Sequence, residues 1–352
     1  MAAIAHINRI GTALPEQEAH ASFIAWAEAR ITDRRVATLF KRMASRSGIE
    51  QRWTVLDPGP GGDGAALAGA FYADPDLPST AARMHVYAEE APRLALRAIE
   101  ALGPIEGITH LVVASCTGFI APGIDQIIGR ELGLDPGVER TLVGFMGCYA
   151  AVSALRVAHH LVRSEPAARV LVVTVELCTL HLQPDTEIEP ILAMLLFGDG
   201  AAAALVTADP TGFALEKPFA VAVPDSRELI RWTIGDKGFA MHLSGAVPAR
   251  ISQALADPDV IARIGDTGAV DCWAVHAGGR TVLDAVEQGF GLDEHALDAS
   301  RTILRTCGNM SSATLMFVLK DLLASDKAAS DGFAIAFGPG LAAEGFRFRR
   351  AA

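Results

Sequence analysis

Three side chains far apart in the chain have the types needed to make and use a thioester: Cys148, His276 and Asn309. A thiol attacks an acyl group, an imidazole moves a proton or donates to an oxyanion, and a carboxamide donates to that oxyanion at any pH. Cys148 lies in Phe145-Met146-Gly147-Cys148-Tyr149-Ala150-Ala151, a glycine leading into an apolar helical run. A thiol at such a strand-to-helix turn meets free N–H groups and the positive helix end, so its pKa is expected to fall. His276 closes the apolar run Cys272-Trp273-Ala274-Val275 and precedes Ala277-Gly278-Gly279. That is the rim position where α/β sheets carry their sites, and from it the imidazole could pair with a thiolate. Asn309 follows Gly308 and opens Met310-Ser311-Ser312. Taken singly, a packed cysteine, a loop histidine and a helix N-cap asparagine fit these positions as well. The order Cys, His, Asn also occurs in papain-like proteases, so the triad alone does not name a reaction.

The elements that must present these residues alternate between short apolar runs and longer helical patterns, an α/β arrangement. Strands are expected at 109–115, 169–177, 201–206, 272–275 and 333–337, and helices at 80–102, 124–132, 149–162, 281–289 and 313–323. Both Gly147-Cys148 and Gly308-Asn309 open a helix, and 161 positions, close to half of the 352 residues, separate Cys148 from Asn309. A duplicated α/β unit would place one functional residue at a helix start in each copy. The predicted halves are 1–215 and 216–352, with a proline-bearing seam over 208–227 and a Gly/Pro/Asp-rich surface loop over 58–79.

With 51% hydrophobic and 20% charged residues, the chain can bury a large core. Thirty basic against 41 acidic residues give a net charge of −11, which argues against nucleic acid or an anionic membrane as partner. An anionic ligand then needs a local basic patch. Five cysteines, odd in number and never C-x-x-C, read as reduced thiols in a cytoplasmic protein with no metal knuckle. His159-His160 lacks ligands at metal spacing and reads as a solvated helix end. No signal peptide and no membrane span are expected.

Five motifs in order carry a family resemblance that runs from about Ile7 to Phe348. They are Gly147-Cys148-Tyr149-Ala150, Leu196-Phe197-Gly198-Asp199-Gly200, His276-Ala277-Gly278-Gly279, Gly308-Asn309-Met310-Ser311-Ser312-Ala313 and Phe337-Gly338-Pro339-Gly340. Through them the chain resembles the type III polyketide synthases, the chalcone-synthase-like group of the thiolase-fold condensing enzymes. The resemblance implies a five-layered αβαβα thiolase fold of two pseudo-repeats and a homodimer. It implies acyl-CoA and malonyl-CoA as substrates and no metal or organic cofactor. Cys148 would carry the acyl group, His276 and Asn309 would stabilise the malonyl-derived enolate, and Phe197 would gate the site. Arg42 and Arg46 match basic side chains at the family's tunnel mouth, where Leu39 departs from a basic residue, and Gly278 and Gly279 would also meet CoA.

The same matching gives the cavity lining as Ser115, Cys116, Thr117, Ala121, Cys178, His181, Leu182, Trp232, Met241 and Ser311. Ala121 matches the family position from which a side chain can reach a dimer partner's cavity, and as a small residue it would contribute less wall. Trp232 stands where plant members have glycine and narrows one lobe, Met241 replaces an aromatic gate, and an acyl tunnel could run between Thr117 and Cys178. The favoured product is an alkylpyrone or alkylresorcinol from a medium- or long-chain starter. A malonyl-primed tetrahydroxynaphthalene or phloroglucinol route, a carrier-protein-dependent ketoacyl synthase III, a cysteine hydrolase and a non-catalytic dimeric scaffold are the alternatives.

Overall fold

The central strands are buried along their whole length, with alternate side chains facing opposite helical layers, and this decides the layering. A computed structural model describes residues 3–57, 69–72, 76–183, 187–326 and 328–351. The first half comprises strands β1 (His6–Ala13), β2 (Gln17–Glu18), β3 (Trp53–Thr54), β4 (His110–Ser115), β5 (Glu139–Gly144), β6 (Val170–Leu177) and β7 (Asp199–Thr207). Its helices are α1 (His20–Arg30), α2 (Arg34–Ser45), α3 (Gly69–Tyr72), α4 (Thr80–Leu102), α5 (Ile124–Glu131), α6 (Ala150–Ser164) and α7 (Ile188–Leu196). The second half comprises β8 (Phe213–Ala222), β9 (Ile230–Gly235), β10 (Gly238–Leu243), β11 (Cys272–Val275), β12 (Gly332–Gly338) and β13 (Ala342–Arg350). With them go α8 (Val247–Leu255), α9 (Pro258–Ile264), α10 (Arg280–Phe290), α11 (Asp298–Cys307) and α12 (Ser312–Ala324).

Nine strands run in the order β11-β12-β13-β8-β1-β7-β6-β4-β5. The two halves repeat one pattern. β4 pairs parallel with β6, β6 antiparallel with β7, and β7 antiparallel with β1. In the second half β11, β12, β13 and β8 repeat those relations in the same order. Only two residue pairs, His6 with Ala214 and Ile7 with Phe213, join β1 to β8. The expected seam at 208–227 therefore contains a ten-residue strand.

The inner faces, with Val112, Ala114, Val172, Ala204, Ala274 and Ala336, pack on α6 and α12. The outer faces carry the alternate residues: Leu111, Val113 and Val173 under α1, α2, α4, α5 and α7, and Trp273, Val275 and Ile335 under α8 to α11. This is the five-layered αβαβα thiolase fold. Its symmetry sets Gly147-Cys148 before α6 and Gly308-Asn309 before α12, the two helices of the central layer. Most of the expected surface loop at 58–79 lies outside the described residues, but its described part is not all surface, since Tyr72 and Leu77 are buried. The solvated reading of His159-His160 holds for His160 alone; His159 lies on the buried face of α6.

Buried imidazoles give the fold a pH dependence. Burial lowers His276 and His181 to about 3 and His20 and His159 to about 4. Below the ordinary value of 6.5 the unfolded chain therefore binds four protons that the folded chain refuses. Burial also raises Glu176 to about 7 and Asp199 to about 6, which favours the folded state by two protons over part of that range. Four outweigh two, so stability falls as pH drops from about 6.5 towards 4.5. The expected result is a lower Tm at pH 5.0 than at pH 7.5 at fixed ionic strength; an equal or higher Tm at pH 5.0 would contradict neutral burial of these rings.

Candidate active site

Gly147 makes the turn that presents the thiol. Its φ is +73°, and a Cβ there would stand 2.3 Å from Pro339 Cδ, so backbone direction and packing both require glycine. Cys148 follows in a single 3₁₀ turn at the head of α6 and is buried. Its sulfur has hydrogen-bonding contact with the side chains of Ser311 and Asn309. Ser311 holds a φ of +47° at the head of α12, backbone strain spent on aiming a hydroxyl at the thiol. The lowered thiol pKa expected from the helix start is overturned: burial pushes Cys148 up to about 12, and the two hydrogen bonds offset only part of that. The thiol is protonated at neutral pH.

Asn309 is fixed on every side. Its Nδ2 donates to the Gly278 carbonyl (3.1 Å), and its Oδ1 accepts from the Ser311 N–H (2.8 Å). Its backbone forms a bridge with Phe197, the Asn309 N–H donating to Leu196 O (2.8 Å) and the Gly198 N–H to Asn309 O (3.0 Å). Phe197 ends α7 in extended conformation and lines the thiol cavity. His276 is 1% exposed, and its ring lies against Gly278, with Nε2 3.6 Å from where a Cβ there would stand. Neither ring nitrogen has a protein hydrogen-bond partner among the described residues. The imidazole thus converges with Asn309 on Gly278, but the expected pairing with the sulfur is absent. With burial holding its pKa near 3, it is neutral.

Around the thiol lies a cavity of about 70 Å³. Of the residues expected to line it, Cys116, Thr117, Cys178, His181, Leu182, Trp232, Met241 and Ser311 do. Two do not. Ser115 turns away, its hydroxyl accepting from Tyr87 Oη (2.7 Å), because side chains alternate along β4. Ala121 is exposed on the loop beyond β4, away from the thiol cavity's lining. The inner wall is stiff. Trp232 Nε1 donates to the Cys116 carbonyl (2.9 Å), His181 Nε2 to the Thr117 carbonyl (2.8 Å), and His181 stacks on Phe239 at 4.2 Å.

A second cavity of about 660 Å³ opens beside the first, behind Leu196 and Gly278. Arg42, Arg46, Gly278 and Gly279 all line it, with Leu39 and Met43 exposed at its rim. Arg42 and Arg46 are free of ion pairs among the described residues, so their charge faces whatever enters. No group of three His, Cys, Asp or Glu side chains among the described residues is placed to hold a metal ion, and no described helix is long and apolar enough to cross a membrane.

Two buried groups escaped the sequence reading. Glu176 in β6 accepts from the Cys116 N–H (2.9 Å), Thr117 Oγ1 (2.9 Å) and Ser312 Oγ (2.5 Å), tying both halves together under the thiol. A single carboxylate in the apolar run Arg169-Val-Leu-Val-Val-Thr-Val-Glu-Leu177 was a visible signal. Arg52 also lines the cavity, and nothing local marks it.

Comparison with known proteins gives a consistent result. Residues 2–210 match the chalcone and stilbene synthases, N-terminal domain, and residues 215–351 match the C-terminal domain. A Mycobacterium tuberculosis protein described as alpha-pyrone synthesis polyketide synthase-like Pks18 is 36% identical over 286 residues, 76% of this chain and 72% of that protein. The crystal structure of PKS-I from the brown alga Ectocarpus siliculosus superposes with a TM-score of 0.88 at 29% identity, covering 99% of each chain. The C-terminal type III polyketide synthase domain of Steely1, a type I/III hybrid from Dictyostelium, gives 0.86 at 26% identity, covering 99% of this chain and 100% of that one.

Proposed function

Because the chain belongs to the chalcone and stilbene synthases, the type III polyketide synthases, we propose that it extends an acyl-CoA starter with malonyl-CoA on Cys148 and closes the product to an alkylpyrone. As a member it is a polyketide synthase, an acyltransferase that forms carbon–carbon bonds from acyl-CoA and malonyl-CoA. The observation that carries the mechanism is Asn309, whose amide reaches both the thiol and Gly278 beside an imidazole with unclaimed nitrogens.

In this reading Cys148 Sγ attacks the starter carbonyl and CoA leaves as the thiol, taking the sulfur's proton. Malonyl-CoA then loses carbon dioxide, and its thioester oxygen, now an enolate, accepts hydrogen bonds from His276 and Asn309. The enolate carbon attacks the Cys148 thioester, freeing the sulfur and leaving a longer chain on CoA. After further extension, an enol oxygen of the chain attacks its own thioester carbonyl, expels CoA and forms the lactone ring. Loss of carbon dioxide drives each extension, so the cycle uses no metal or organic cofactor. Phe197 keeps water from the decarboxylating group, and Arg42 and Arg46 meet the CoA phosphates.

The α-pyrone product is supported by the description of the mycobacterial relative, and a longer starter by the small side chains of Thr117 and Cys178 on the inner wall. A cavity of about 70 Å³ favours the second reading, a malonyl-primed or other short starter, because a long tail must displace Trp232 on the two-stranded β9–β10 ribbon. We also propose a cytoplasmic homodimer. β5 is a terminal strand with Glu139, Arg140, Thr141 and Leu142 exposed, and Phe119 and Ala121 are exposed beside it, an edge that a second copy would cover.

One experiment tests these points. The enzyme is given malonyl-CoA with starters from acetyl-CoA to palmitoyl-CoA, and with one acyl group carried on pantetheine without the phosphates. Products and the native complex are weighed by mass spectrometry. The expected result is triketide pyrones without any carrier protein, a weaker pantetheine substrate, and twice the chain mass. Products only from malonyl-CoA alone would establish the second reading, a need for carrier protein would remove the family's cycle, and a single-chain mass would remove the dimer.

A further inference from the structure

Arg52 is a buried cation whose guanidinium meets no carboxylate among the described residues, placed between the thiol cavity and the backbone that carries Phe197 and Asn309. It is 2% exposed. Its Nε donates to His20 Nδ1 (3.1 Å), and its Nη1 donates to the carbonyls of Met194 (3.1 Å) and Phe197 (2.5 Å). Its stem fills the space over two glycines of the same bridge. A Cβ on Gly308 would lie 2.7 Å from Arg52 Cγ, and one on Gly198 would lie 3.4 Å from Arg52 Cβ. Nη2 is buried with no partner among the described residues, and the side chain lines the thiol cavity.

For stability alone this is a poor choice. Glu18 and Asp199 act on the guanidinium only at a distance, and a buried charge without a paired carboxylate costs more than an apolar side chain of the same shape. What the guanidinium does supply is a rigid fork on the last turn of α7. Fixing the Met194 and Phe197 carbonyls fixes the Leu196–Gly198 segment, and that segment holds Asn309 through two backbone hydrogen bonds. Cys148 hangs from a different support, the turn between β5 and α6.

We propose that Arg52 is a positioning residue for the decarboxylation half of the cycle, holding Phe197 and Asn309 in register with each other, with a much smaller effect on acyl transfer to Cys148, whose sulfur touches Ser311 as well as Asn309. The proposal rests on the roles given above to Phe197 and Asn309. Its signature is a split between two half-reactions that a general loss of fold would not produce.

The test compares wild type with Arg52→Met, Arg52→Lys, His20→Leu and His20→Asn. Carbon dioxide release from malonyl-CoA alone is one readout, and starter acylation of Cys148, followed by mass spectrometry, is the other. Arg52→Met is expected to lower the kcat of decarboxylation about 10- to 100-fold with little change in KM, because a small misplacement of catalytic groups carries that effect. Acylation of Cys148 should stay within about twofold of wild type. Arg52→Lys, which keeps the charge but not the fork, should recover part of the rate. His20→Leu removes the acceptor of Nε and should give a smaller loss of the same kind, which His20→Asn restores.

Equal losses in both half-reactions would reduce Arg52 to a structural residue, and unchanged decarboxylation would remove the proposal outright. Should Arg52→Met fail to fold, the Lys and His20 variants carry the same comparison. Failure of wild type itself to decarboxylate malonyl-CoA or to become acylated at Cys148 would instead overturn the reaction cycle, a distinct outcome.

Discussion

Cys148→Ala stops polyketide formation, with turnover falling by about 10³-fold or more, because no other group at the head of α6 can hold the acyl chain. The fold should survive, since a single buried sulfur atom is removed next to Ala150 and Ala151, which already pack closely. Decarboxylation of malonyl-CoA should persist in this variant, because the groups assigned to the enolate are on the other half of the molecule. Measurement is direct: product by mass spectrometry, carbon dioxide release, and a thermal melt on one preparation. Product formed at the wild-type rate would exclude the thioester intermediate on Cys148. Loss of carbon dioxide release together with product would mean that the thiol takes part in both steps.

Asn309→Ala and His276→Ala carry the complementary effect. Each removes one donor from the developing enolate oxygen, a change that typically costs about 100-fold or more in rate. Both should lose decarboxylation while Cys148 still accepts the starter. Asn309→Ala should show the larger disturbance, since its carboxamide also bonds Gly278 O and orders the Ser311 N–H. The imidazole is held neutral, so it donates an N–H without carrying charge. The ring itself should therefore add no step to the pH profile of decarboxylation between about pH 6 and about pH 8.5, a window in which Glu176, raised to about 7, titrates. A rate that climbs through pH 6.5 and still does so in Glu176→Gln would show that the ring titrates in that range, and decarboxylation within twofold of wild type in either variant would remove that donor from the mechanism.

The chemistry of this site was legible in residue types and in local pattern. Helix α4 could be read to the residue, from Thr80 to Leu102, because its periodic face runs for 23 residues and Ser79 caps it, accepting from the Ala82 N–H. The central strands could be read because β-branched runs buried on both faces leave little else for the segment to do. The match of Gly-Cys with Gly-Asn anticipated the repeat, since each glycine takes a positive φ shortly ahead of a central helix. The errors share one cause: Ser115, His159 and the pKa of Cys148 each depend on what lies across the sheet or helix, which no run of neighbouring residues specifies.

By itself the sequence determined which atoms are available for catalysis, where helices and strands form, and that two similar units are joined. Those follow from side-chain chemistry and from periodicities of 2 and 3.6 residues, which are local. Only the tertiary structure decided that Asn309 and Ser311 reach the sulfur while His276 does not, that the thiol and imidazole are both neutral, and that Trp232 and His181 leave about 70 Å³ around them. It alone placed Arg52 against carbonyls more than 140 residues away. Such contacts, and the desolvation that sets the charges, arise from segments brought together by folding.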